Sequence, residues 1–166
     1  MLVEVEGIIL VERAYSETSK LLTILTRQYG LINVMAKGAK RIKSELRIVT
    51  EKLTYANFNI LYKKDKISTL VNATIITNLK NIKTDINRIS YVSYILELTE
   101  QVSKEHFCSE LYDLAIAAIL KINDNYDPSA IMNIIEIKYL DFLGVMPIID
   151  SCALCGNKAN IVTLSA

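Results

Sequence analysis

The chain of 166 residues contains a single histidine, His106, a scarcity that removes most histidine-centred catalysis. Neither a Gly-rich phosphate loop nor a Ser nucleophile elbow appears. Acids are plentiful but form no catalytic pair, since Asp124 and Asp127 read as a turn residue and a helix cap. Three cysteines, with Cys108 isolated from the other two, do not make a disulfide framework. No apolar run reaches the roughly 18 residues that a membrane span needs. The opening MLVEVEGIIL carries Glu4 and Glu6 and no basic n-region, so it does not read as a secretory signal. These absences leave a cytoplasmic, globular, non-enzymatic protein with 51% hydrophobic residues, enough for real cores.

An excess of either charge is also missing, because the formal net charge is only +1. That balance hides an asymmetry. Residues 1–80 hold 13 Lys and Arg against 7 Asp and Glu, whereas residues 81–166 hold 6 against 11. Such a division points to different partners for the two halves, with a polyanion the natural one for the basic half. Its charge is densest in AKGAKRIKSELR, residues 36–47, where Lys37, Lys40, Arg41, Lys43 and Arg47 face one acid, Glu45. A solvated loop and a phosphate-binding strip both explain such a cluster.

Hydrophobic periodicity changes where the charge does. Residues 3–12 begin in strict alternation, 20–28 and 31–37 are rich in Leu, Ile, Thr and Val, and 66–76 (KISTLVNATII) follows a Lys64-Asp65 turn. In 52–63, Leu53 and Tyr55 alternate, then Phe58, Ile60 and Tyr62 after a slip at Ala56-Asn57 that suggests a bulge. Five short strands of this kind predict a small closed barrel rather than βαβ units. Beyond residue 80 the period is helical. One stripe runs through Ile89, Val92, Ile95, Leu96, Thr99 and Val102, and a second through Leu111, Leu114, Ala115, Ala118 and Ile122. A third helix has Asp127 as N-cap, Pro128 at its first position and Gly144 past its end, with a stripe of Ile131, Ile134, Ile135, Leu140 and Leu143. The chain is therefore α+β, with strands first and helices after.

The most specific local motif is CALCG, residues 152–156. A Cys-x-x-Cys turn aims two thiolates at one point, and Gly156 permits backbone that a Cβ would hinder. Zinc fits this context better than a redox pair, which normally opens a helix after a βα unit. Structural zinc wants four ligands, however, and the 11 residues after Cys155 add no Cys or His. His106 and Cys108 read as a helix-end residue and a buried thiol. Cys152 and Cys155 thus supply half a site, and zinc is expected to be absent or weakly held in this 166-residue form.

The stretch GIILVERAYSETSKLLTILTRQYGLINVMAKGAKRIKS (7–44), with Gly7, Tyr15, Glu17, the Leu-Thr-x-x-Thr of 22–26, Gly30 and AKGA, resembles the bacterial recombination mediator family RecO. YLDFLGVMP (139–147) followed by CALCG is similar to the same family in order and spacing. The resemblance covers essentially the whole chain. It implies an N-terminal OB-fold over residues 1–80 and a helical domain over 81–166 that carries a zinc element built from two Cys pairs. It also implies binding of single- and double-stranded DNA, strand annealing, and cooperation with RecR and single-stranded-DNA-binding protein in loading RecA. The second Cys pair of that pattern is not among these residues, which suggests a fragment of a longer protein.

A barrel of this kind binds single strands with a basic face for the backbone and aromatics for the bases. The candidate contacts are Arg13, Tyr15 and Lys20 around the first turn, Arg27 near the second, and Lys37, Lys40, Arg41, Lys43 and Arg47 in the strip. Nothing here offers base-edge readout, so sequence-independent binding is expected. An OB-type RNA or tRNA binder and a protein scaffold working through its acidic half are the competing readings.

Overall fold

The structure is a computed structural model that describes residues 1–105, 107–148, 151, 156 and 158. Five strands form: β1 (Leu2–Ala14), β2 (Lys20–Thr26), β3 (Gly30–Ala36), β4 (Tyr55–Leu61) and β5 (Ser68–Thr77). A one-turn helix, α1 (Leu46–Val49), lies between β3 and β4, within a stretch the sequence pattern treats as loop. The strands close in the order β1-β2-β3-β5-β4. The long β1 pairs antiparallel with β2 through its second half and with β4 through its first. β3 and β5 close the cylinder in parallel over two pairs only, Val34 with Ser68 and Met35 with Thr69. This is the five-stranded barrel of the OB-fold.

Helices follow: α2 (Lys80–Lys83), α3 (Ile86–Glu105), α4 (Ser109–Asn123) and α5 (Pro128–Phe142). Among the described residues no helix is long and apolar enough to cross a membrane.

Two cores explain where strand alternation holds and where it fails. Val5, Ile9, Leu22, Ile24, Val34, Phe58 and Ile60 fill the barrel. Ile8, Leu10, Leu25, Leu53 and Tyr55 lie on its outside and join the core of the helices. Strict alternation in β1 therefore ends at Gly7, beyond which both faces are covered and both become apolar. The slip at Ala56-Asn57 has the same cause. Tyr55 packs outward while Ala56, Phe58 and Ile60 pack inward, and β4 pairs with β1 without interruption. No bulge interrupts β4 there. The β4–β5 register does shift beside it, between Tyr55 and Ala56, but the skipped residue is Ile76 of β5, as Val71 is at a second shift and Leu10 of β1 is in the ladder with β2.

The helical stripes are largely as expected, with two tyrosines added. Val92, Ile95, Leu96, Thr99 and Val102 of α3 are buried, as are Leu111, Ala115, Ala118 and Ile122 of α4. In α5 the buried line is Ile131, Ile135 and Tyr139, whereas Ile134 is 48% exposed. Spacing of four selects that line and leaves Ile134 beside it. The Tyr139 hydroxyl sits 2.6 Å from Thr99 Oγ1, so a polar tip is satisfied inside the core. Asp127 caps α5 by accepting from the Ser129 amide at 2.9 Å, Pro128 follows, and Gly144 takes φ +69° past the end.

At Gly7 the barrel has no room for a side chain. A Cβ there would lie 2.7 Å from the Leu25 carbonyl oxygen and 2.9 Å from Ile24 Cγ2. Both neighbours are held in β2, so neither yields cheaply. Gly7→Ala is expected to destabilise the protein by about 1–3 kcal/mol, the usual cost of overpacking. Urea unfolding of the two proteins checks it; equal midpoints would mean that β1 and β2 separate freely at this position.

Candidate nucleic-acid interface

The basic strip leaves β3 after Ala36. Ala36 and Ala39 are fully buried, while Lys37, Lys40, Arg41, Lys43 and Arg47 are exposed. Gly38 takes φ +71°, which turns the chain back on itself. Successive turns follow, with the Arg41 amide donating to the Gly38 carbonyl at 3.0 Å and the Arg47 amide to the Ser44 carbonyl at 3.1 Å. The last turn becomes α1, on which Arg47 sits.

This loop is clasped to the β1–β2 turn. The Lys40 amide donates to the Thr18 carbonyl at 2.9 Å, Lys40 Nζ donates to the Ser16 carbonyl at 3.1 Å, and the Gly38 amide reaches Ser19 Oγ at 3.4 Å. The turn is itself closed by the Tyr15 amide on the Ser19 carbonyl at 3.0 Å. Arg13 and Tyr15, the latter 62% exposed, are thereby brought to the same end of the barrel as the strip.

Between loop and barrel lies an open cleft of about 540 Å³ lined by Glu12, Lys20, Ala39, Lys40, Arg47 and Glu51. Lys20 spends its charge there. Its Nζ lies 2.9 Å from Glu12 Oε2 and also donates to the Thr50 carbonyl at 3.4 Å. Among the described residues, Arg13, Lys37, Lys40, Arg41, Lys43 and Arg47 enter no ion pair. The strip is a concentration of uncompensated positive charge on a backbone fixed by hydrogen bonds.

Arg27 lies elsewhere. It follows β2 at the end remote from Lys20, and its guanidinium meets the Asp113 carboxylate of α4 through two bonds of 2.9 Å. That fork raises the Arg27 pKa and ties barrel to helices. Beside it, Glu6 Oε1 accepts from Tyr55 at 2.6 Å and from Tyr112 of α4 at 3.1 Å. Burial first, then Glu6, pushes both tyrosine hydroxyls above their usual range. Phe107 completes the seam, since a Cβ on Gly30 would fall 3.0 Å from its ring. Local sequence pattern gives no sign of Glu6 or Asp113 as partners, because their contacts join residues 86 and 106 positions apart.

The metal candidates Cys152 and Cys155 lie outside the described residues. Gly156, just after them, takes φ +70°, the backbone expected of it. Cys108 is a half-buried free thiol packed against the helical core. Among the described residues no three His, Cys, Asp or Glu side chains gather as a metal would require.

A closed OB barrel with a clasped basic loop, seamed to helices through Glu6 and Arg27, defines an OB-fold protein with a helical domain behind it. Family comparison makes this more specific. Residues 1–79 match the family model described as Recombination protein O N terminal, and residues 83–166 match Recombination protein O C terminal. The chain belongs to the recombination protein O family. It is 36% identical over 152 residues to a DNA repair protein RecO of Listeria monocytogenes, covering 91% of this chain and 59% of that protein. It is 33% identical over 159 residues to the protein of that name in Bacillus pumilus, covering 95% and 62% respectively. The chain thus spans about three-fifths of the length of these relatives.

The hydroxyl seam has a pH signature. A tyrosine whose pKa is raised by folding contributes stability that is complete below about pH 10, the unfolded value, and is lost as pH rises above it. Stability should therefore fall steeply with pH above 10, and less steeply in Tyr112→Phe. At neutral pH that variant should lose about 1 kcal/mol with its hydrogen bond. Urea unfolding of both proteins from pH 7 to 11 checks this; parallel profiles would show that the Tyr112 hydroxyl is not held protonated by the seam.

Proposed function

We propose that the chain is the DNA-engaging part of a DNA repair and recombination mediator. In this reading, residues 1–80 are its nucleic-acid-binding domain. It binds single- and double-stranded DNA without sequence preference and anneals strands. With RecR and single-stranded-DNA-binding protein it helps load RecA, acting at the nucleoid in the cytoplasm rather than as an enzyme. The observation that carries the reading is the clasped strip with Arg13 of β1 beside it, six cations that enter no ion pair among the described residues and share one end of an OB barrel. Phosphates are the ligand that such a surface fits, and charge on a preorganised backbone needs no base-edge contact. Arg27 falls outside the proposed interface, because Asp113 already occupies its guanidinium.

Zinc belongs to the same proposal, held by Cys152 and Cys155 together with a second thiolate pair. In the 166-residue chain two thiolates give half the ligand set, so purified protein should contain well under one equivalent of zinc. Metal analysis after gel filtration reads this directly, and one tightly held equivalent per chain would contradict the half-site.

The strip is tested by salt. Replacing Lys40, Arg41 and Lys43 together by Ala should weaken single-stranded DNA binding for all sequences alike. It should also flatten the slope of log affinity against log salt by roughly 0.7 for each phosphate the variant no longer neutralises. Stability should change by about 0.5 kcal/mol at Arg41 and Lys43, and by about 1 kcal/mol at Lys40, whose ammonium holds the Ser16 carbonyl. Titrations at several salt concentrations, with thermal melts alongside, decide the matter. An unchanged slope in a folded variant would return the strip to a solvated loop.

A further inference from the structure

A second arrangement lies at the other end of β3. The strip begins after Ala36, and Tyr29 precedes Gly30, so seven residues of β3 separate them by about 20 Å. There the rings of Tyr29 and Tyr62 stack, with centroids 4.3 Å apart and planes 23° from parallel. Each ring is set from a fixed backbone. The Tyr29 amide donates to Thr26 Oγ1 at 3.2 Å, and the Tyr62 amide donates to the Met1 carbonyl at 2.9 Å.

The stack is at the surface, with Tyr29 38% exposed and Tyr62 half-buried. It borders an open cleft of about 410 Å³ whose lining includes Leu31, Asn33, Lys63 and Lys66. The β4–β5 loop beside it carries three exposed lysines, Lys63, Lys64 and Lys66, against one acid, Asp65. None of the three enters an ion pair among the described residues. Asp65 turns the loop tip at φ +56°, and the Lys63 amide is anchored on Ser68 Oγ at 3.1 Å.

Tyrosines that only sealed the barrel would be covered, and would not need three ammonium groups beside them. A ring already stacked on its neighbour and carried on a hydrogen-bonded backbone has little freedom left to lose, so adding a third flat group to the stack costs little ordering. Every nucleobase offers such a face, and the phosphates on either side of it would meet lysines.

We propose that Tyr29 and Tyr62 form a stacking subsite for an unpaired base of single-stranded DNA, with Lys63, Lys64 and Lys66 at the flanking phosphates. This rests on the DNA-binding reading above but adds a contact of different chemistry. The strip senses phosphates, whereas this subsite senses bases.

The experiment compares two strands of equal length and charge, an oligothymidylate and an all-abasic strand, each end-labelled for fluorescence anisotropy with the 166-residue chain. The base-bearing strand should bind about 5-fold tighter or more, the range for one stacked base. Tyr29→Leu and Tyr62→Leu should bring that ratio towards one, while Tyr62→Phe, which keeps the ring, should preserve it. The Lys40, Arg41 and Lys43 triple variant should weaken both strands equally and leave the ratio alone. Thermal melts accompany each variant, and if Tyr62→Leu does not fold, Tyr29→Leu on its exposed turn carries the test. A folded Tyr29→Leu that keeps the wild-type ratio overturns the subsite. So does a wild-type ratio of one with both strands bound, which leaves the strip intact. Binding of neither strand at low salt overturns subsite and DNA reading together.

Discussion

At Gly7 the β1 backbone approaches β2 so closely that a methyl group would press on the Leu25 carbonyl, and the next residues, Ile8 and Ile9, are fully buried in two different cores. One strand thus lines the barrel with one face and receives the helices on the other. Had β1 needed only one covered face, alternation would have persisted and the helices would have had no apolar wall to dock on. Leu53 and Leu79 reinforce this joint from either side. Both are buried in the outer core with positive φ, at 63° and 46°, a conformation leucine adopts only where its surroundings demand it.

Positive charge is used in two ways on this scaffold. Where a cation meets a carboxylate it builds structure, as Arg27 does with Asp113 and Lys20 does with Glu12. Where the backbone is pinned and the cations enter no ion pair among the described residues, as along the strip and at Lys63 to Lys66, charge remains available to a ligand. The acidic helical half contributes Asp113, which pairs with a basic residue of the barrel at the surface and marks where barrel and helices join.

The strands, the change of period near residue 80, and the capping of α5 by Asp127, Pro128 and Gly144 are all legible in the sequence, because each depends on neighbours within a few positions. Less legible is anything that depends on two covered faces. The phase slip in β4 reads as a bulge only if one face is assumed to be wet. Tyr112 and Tyr139 escape an apolar stripe because their hydroxyls are polar until Glu6 and Thr99 satisfy them. Within the candidate site, the strip's composition is visible, but its clasp through Ser16, Thr18 and Ser19 is not. The Tyr29–Tyr62 stack joins residues 33 positions apart and leaves no local pattern. Arg27 looks like its basic neighbours until Asp113 is brought beside it.

The two-pair parallel junction between β3 and β5 makes the barrel a cylinder with one weak stave. Val34 and Ser68 are 34 positions apart, so this junction carries a larger loop-closure cost than either turn-linked hairpin, β1–β2 or β2–β3. With only two pairs it is the shortest ladder of the barrel, so amide hydrogen exchange should reach it before the longer ladders that β1 makes.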